Sequence, residues 1–97
     1  MSKDLDDLRT QIVNSIFAEM ATHPEQHDIR QFVDQPHDDL YGYHSTLGRD
    51  IRNNYNLWGH PVLSSNYEHP DDFSMQIIKE LHLKAVNHFR KTLFSIK

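Results

Sequence analysis

The chain contains no cysteine, so disulfides and thiolate metal sites are excluded. No apolar run approaches the roughly 18 residues that cross a membrane. The opening Met1-Ser2-Lys3-Asp4-Leu5-Asp6-Asp7 is polar and acidic, unlike a secretory signal. Both absences suit a soluble chain in the cytoplasm. Glycine occurs three times and proline four times, and no period suggests repeats. Hydrophobic residues make up 37% of the 97 positions, below the usual range of about 45–50%. One small domain over residues 1–97 is the expectation, with a thin core. Apolar surface finished by a partner or by a second copy in a homo-oligomer is the corollary.

Charge is abundant but uneven. Residues 1–39 hold nine acids and three bases, whereas residues 76–97 hold one acid and five bases. The simplest reading lays an acidic first helix antiparallel to a basic last helix, so that the ends neutralise each other. The net charge of −4 and pI near 6.0 argue against nucleic acid as the partner.

Apolar spacing divides the chain into helices. Leu5, Leu8, Ile12, Ile16 and Met20, widened by Val13 and Phe17, form a stripe that predicts a helix over 3–21. It is capped near Ser2 and stopped by Pro24. Ile29, Phe32 and Val33 predict a short helix over 26–34, ended by Pro36. Leu40, Tyr43, His44, Leu47, Ile51 and Tyr55 share a face and predict a helix over 38–56, closed by Gly59 in a left-handed cap and by Pro61. Residues 59–69 read as a loop with a single turn around Val62-Leu63. His69-Pro70-Asp71-Asp72 opens a final helix over 70–94, with proline in the first turn and two acids at the positive end of the dipole. Its stripe runs Phe73, Ile77, Ile78, Leu81, Ala85, Phe89, Leu93. No strand pattern competes. The expected fold is all-α, a small bundle of three main helices plus one short helix.

Eight histidines invite a metal reading, but none of the spacings matches a ligand motif. His23 and His27 are separated by Pro24, and His82 and His88 fall on different faces. A zinc site needs three or four converging ligands, so no metal site and no cofactor is assigned. Ser45, Ser64, Ser65 and Ser74 lack a nucleophile motif, and no glycine-rich phosphate loop exists. No catalytic residue is assigned, and the balance is against an enzyme.

The densest set of ligand-holding side chains is Arg49, Arg52, Asn53, Asn54, Tyr55 and Trp58. Arg49 and Arg52 are neighbours on a helix, and paired guanidiniums suit planar anions. The asparagines add donors and acceptors, and Tyr55 or Trp58 offers a stacking face. His69, Asp71, Asp72 and Ser74 form the second motif, as supporting residues. The competing reading makes Arg49 or Arg52 an internal partner of Asp71 or Asp72 that locks two helices together.

The segments Leu47-Gly48-Arg49-Asp50-Ile51-Arg52-Asn53-Asn54-Tyr55-Asn56-Leu57-Trp58 and His69-Pro70-Asp71-Asp72-Phe73-Ser74-Met75-Gln76-Ile77-Ile78 resemble a family of small stand-alone bacterial and phage domains of unknown function. Its members share the pattern L-G-x-x-I-R-N-x-x-x-L-W followed by H-P-D-D-x-S-x-x-I-I. The resemblance covers roughly residues 40–82 and leaves residues 1–36 outside. It implies that Arg52, Asn53, Trp58, His69, Asp71 and Asp72 belong to one recurring unit, whether site or clamp.

Three functional expectations follow. The first is a non-enzymatic module binding an anionic small ligand, a nucleotide or phosphate, in a regulatory or anti-defence role. The second is a protein-interaction module, inhibitor-like or immunity-like, in which both motifs are structural. The third is a small metal-dependent or hydrolytic enzyme.

Overall fold

Phe73, Ile77, Ile78, Leu81 and Ala85 fall at three- and four-residue intervals, and all five are fully buried. A helix carrying such a stripe belongs at the centre of a bundle, and the computed structural model, which describes residues 3–23 and 29–90, places it there. The order is α1 (Lys3–Thr22), α2 (Ile29–Asp34), a 3-10 turn (Tyr41–Tyr43), α3 (Leu47–Asn54), α4 (Pro61–Ser65) and α5 (Pro70–Ala85), continued by a π-turn at Val86–Arg90. The chain is all-α, with α1 and α5 as its long elements. The core joins Ile12, Val13 and Met20 of α1, Ile29, Phe32 and Val33 of α2, Leu40, Ile51, Leu57 and Leu63 to the α5 stripe. Each such aliphatic or aromatic side chain contributes about 1.5–3 kcal/mol on burial.

The helix pairings set directions. Arg9 reaches Gln76 and Glu80, Lys84 reaches Asn14, and Phe17 packs on His88 and Phe89. The partners advance together, so α1 and α5 run parallel. This corrects the antiparallel arrangement inferred from charge. An ion pair between them, Arg9 Nε to Glu80 Oε2 at 3.6 Å, joins a base of the acidic helix to an acid of the basic one. The two helices run side by side in the same sense and share one apolar core. As a result the first-turn acids of both helices, Asp4 and Asp6 with Asp71 and Asp72, lie at the same end. By contrast α3 runs antiparallel to α5, because Gly48 faces Ile78 while Arg52 faces Ser74 and Asp71.

The helix expected over 38–56 is two pieces. The 3-10 turn at Tyr41–Tyr43 is separated from α3 by the turn at 44–46. Gly42, Ser45 and Thr46 are poor helix formers, and the apolar stripe survives the break because both pieces face the same core. In a continuous helix the His44 carbonyl would accept from the Gly48 N–H. Here it accepts from Arg52 instead.

Two helices end in the same closing motif. After α3, Leu57 N–H donates to the Arg52 carbonyl at 3.0 Å and Asn56 N–H to Asn53 at 3.4 Å, with Asn56 left-handed at φ 51°. After α4, Glu68 N–H donates to Leu63 at 2.9 Å and Tyr67 N–H to Ser64 at 3.3 Å, with Tyr67 left-handed at φ 55°. These are Schellman closures. The left-handed cap of α3 is thus Asn56, and Gly59 (φ 76°) turns the chain further along, before α4. α4, five residues around Val62 and Leu63, is little more than the single turn expected there. The beginning of the second expected helix, 26–28, and the end of the last, 91–94 with Leu93, lie outside the described residues.

Candidate functional site

The two sequence motifs meet where α3 crosses the start of α5. Arg52 is the hub. Its residue is 8% exposed, and a buried guanidinium must satisfy its donors within the protein. Nε lies 3.4 Å from Asp71 Oδ1. Nη1 donates to Ser74 Oγ at 3.1 Å, and Nη2 to the His44 carbonyl at 3.3 Å. Ser74, fully buried, donates its hydroxyl to the Asp71 carbonyl at 2.9 Å, so that hydroxyl both accepts and donates. Gly48 makes room for this arrangement. A Cβ at position 48 would sit 3.0 Å from Arg52 Nη1 and 3.3 Å from the Tyr43 carbonyl oxygen.

His69 holds the start of α5. Its Nδ1 accepts from Asp71 N–H at 3.0 Å, which fixes the proton of the neutral ring on Nε2. The Asp71 carboxylate lies 3.8 Å from the same nitrogen. With Nδ1 spent as an acceptor, this contact is a neighbour of the cap and not an ion pair. His60 repeats the device before Pro61, accepting from Val62 N–H at 3.2 Å. Each His-Pro pair therefore supplies an N-cap acceptor followed by a proline at the first helical position. Histidine is not a usual cap, and only the repetition of His-Pro in the sequence hinted at it.

The remaining motif residues diverge. Trp58 is 56% exposed and stands edge-on to His69, ring centres 5.6 Å apart at 84°. Tyr55 turns towards α1, donating to Ser15 Oγ at 3.3 Å. Arg49, Asn53 and Asn54 are exposed, and among the described residues their side chains make no hydrogen bond or ion pair. Asp72 is exposed in the first turn of α5. The structure thus joins Arg52, Asp71, Ser74, His69 and Trp58. Arg49 lies outside that set, so the two guanidiniums do not converge. Around the clamp the surface is aromatic. Tyr67, 98% exposed, precedes His69 by two residues, and Tyr41 stacks on the His44 ring at 5.4 Å.

One pairing had no signal in the sequence. His37, in the loop after α2, brings Nδ1 to 3.1 Å from Nδ1 of His82, a residue 2% exposed on α5. The two are 45 positions apart, and no periodicity links a loop residue to a helix that distant.

The chain belongs to a family described as Domain of unknown function (DUF6794), whose model matches residues 11–85. The match reaches beyond the two motifs to most of α1 and all of α2, so the unit extends further towards the N-terminus than the motif resemblance did. No curated protein and no solved structure matches the chain.

Proposed function

We propose that this domain is a protein-interaction module that docks through the rim formed by Trp58 and Tyr67, beside the acidic end of α1 and α5. The observation that carries the reading is the division of labour inside the motif. Arg52, its central cation, is buried in contacts with Asp71, Ser74 and the His44 carbonyl, while Trp58 and Tyr67 face solvent around the same clamp. Large aromatic side chains at an exposed rim are the residue types that anchor protein interfaces. Tyr67 adds a second hint: a bulky residue in a left-handed cap position where glycine costs less. Asp4, Asp6, Asp7 and Asp72 are exposed at this end, so the complementary partner surface is basic, with a pocket for an aromatic ring. The acids steer and the aromatics anchor.

The test is capture from an extract of cells that carry the protein, with the full chain immobilised. A partner retained by the wild type and by Arg49→Ala, lost with Trp58→Ala, and weakened by Asp72→Lys and by raised salt supports the reading. Circular dichroism of each variant establishes that the fold is intact. Retention indifferent to both Trp58→Ala and Asp72→Lys overturns it.

A second reading keeps one observation. Arg49 and Asn53 are four residues apart, both exposed on the outward side of α3, which suits a shallow anion contact. A melting-temperature rise with a nucleotide or inorganic phosphate, absent in Arg49→Ala, would favour that anionic-ligand module over the protein-interaction module.

A further inference from the structure

We propose that His37 and His82 form a two-histidine site for a divalent transition-metal ion of the zinc, nickel or copper kind. The site stands apart from the aromatic rim. His82 lies 13 residues along α5 from the His69 cap, about 20 Å at the helical rise.

Four features of the pair point to a cation. The first is geometry. Two imidazole nitrogens bound to one ion at about 2.0–2.1 Å stand roughly 2.9 Å apart for a right-angled arrangement and about 3.3 Å for a tetrahedral one. The observed Nδ1–Nδ1 separation of 3.1 Å lies between them. The second is chemistry. Both atoms that meet are of the same type, and with no cation between them one ring must carry its proton on Nδ1 while the other carries it on Nε2. A metal ion takes both lone pairs and lets the rings adopt the same tautomer. Imidazole is a preferred ligand of zinc, copper and nickel.

The third feature is preorganisation. Phe32 packs edge-on against His82, ring centres 5.1 Å apart at 87°, and fixes its orientation. The loop that presents His37 is clipped by the Gln35 amide, which donates to the Asp39 carbonyl at 2.9 Å and to its carboxylate at 3.1 Å. Supporting contacts of this kind hold metal ligands in place. The fourth is access. Both histidines line a pocket of about 200 Å³ whose wall includes Asp34, and His37 is exposed, so an ion and its waters have a route in. The exposed Asp34 in that wall adds negative charge beside the pair. Among the described residues no group of three histidine, aspartate or glutamate side chains is placed to hold an ion. The site is therefore open, with two protein ligands and its other positions available to water or to an added donor.

The experiment is calorimetric titration of zinc and of nickel into the full chain after dialysis against a chelator. One ion should bind per chain and raise the melting temperature. His37→Ala, an exposed substitution, should weaken binding by at least the roughly 10–100-fold that loss of a supporting contact alone costs. His60→Ala and His69→Ala remove caps and leave the pair untouched, so their affinity should match the wild type. Copper bound to the wild type should show two coordinated nitrogens in its electron paramagnetic resonance spectrum, and one in His37→Ala. Absence of binding, or equal affinity in His37→Ala, overturns the proposal and leaves the pair as a hydrogen bond between two tautomers.

Discussion

The inward and outward sides of the same motif follow different rules. On the inward side, where α3 meets α5, Arg52, Ser74 and Gly48 are buried and mutually dependent. On the outward side, Arg49, Asn53, Trp58 and Tyr67 are exposed, and the helix ends that carry the aromatics are closed by local backbone bonds, with the Asn66 amide on the Val62 carbonyl added at α4. Arg49 and Arg52 are three residues apart with the same charge, yet one is solvated and the other serves as an internal connector. Helical phase decides which, because Arg52 falls next to Ile51 and Gly48 on the side that faces Ile78 and Ser74. The comparison separates residues that hold the fold from residues left available for recognition.

The largest effect should come from Arg52→Ala. It removes a guanidinium bonded to Ser74 and His44, and such charged hydrogen bonds contribute about 1.5–3 kcal/mol each way when one partner is lost. Asp71 keeps a side-chain exposure of 40%, so water re-solvates it and limits the penalty. A loss of about 2–3 kcal/mol in urea unfolding is expected. Arg49→Ala should change stability by less than about 0.5 kcal/mol. Equal losses in the two variants would erase the distinction between the sides.

Gly48→Ala tests the inward side from the backbone. The added methyl meets the Tyr43 carbonyl oxygen at 3.3 Å and the pinned Arg52 Nη1 at 3.0 Å. Overpacking costs about 1–3 kcal/mol, and alanine's helix preference recovers up to about 1 kcal/mol. A net loss of about 1 kcal/mol follows, read as a lower urea midpoint. Gly42→Ala is the control. Nothing lies within 4 Å of its added carbon, and stability should hold or rise slightly.

The two caps come next. His69→Ala and His60→Ala each remove an acceptor from a helix start, a loss of about 1 kcal/mol for an N-cap. His69→Asp restores an acceptor and should recover most of it in thermal unfolding. His69→Ala also deprives Trp58 of its edge-on neighbour, so the tryptophan fluorescence should shift, whereas His60→Ala should leave it unchanged.

How much of this was legible in the sequence depends on the element. The stripes of α1 and α5 were plain, because long runs of Leu, Ile and Phe at helical spacing have one reading. Their relative direction was not, since charge asymmetry argues association and leaves topology open. The region 38–56 was read as one helix because Leu40, Tyr43, Leu47, Ile51 and Tyr55 keep phase across a turn that releases the His44 carbonyl to Arg52. The Arg52–Asp71 contact is one of the pairings the two motifs allow, but spacing alone does not say which of two arginines turns inward. The His37–His82 pair could not be read at all, since it depends on where a loop comes to rest against α5.

Tyr67→Gly is expected to change stability only modestly and divides the two sides most cleanly. Tyr67 occupies the left-handed position of the α4 closure at φ 55° and is 98% exposed, so its ring contributes almost no burial to the fold. Glycine adopts that conformation without the roughly 1–2 kcal/mol penalty of an L side chain, although it gives back part of this through a more flexible unfolded chain. A gain of about 0.5–1 kcal/mol is expected in thermal unfolding. The same variant should lose the partner captured by the wild type, because the ring that anchors the rim is gone. Stability and binding then move in opposite directions from a single substitution. A stabilised variant that still binds would place the interface elsewhere. A destabilised one would mean that Tyr67 supports the fold, and the boundary between the two sides would have to be redrawn at α4.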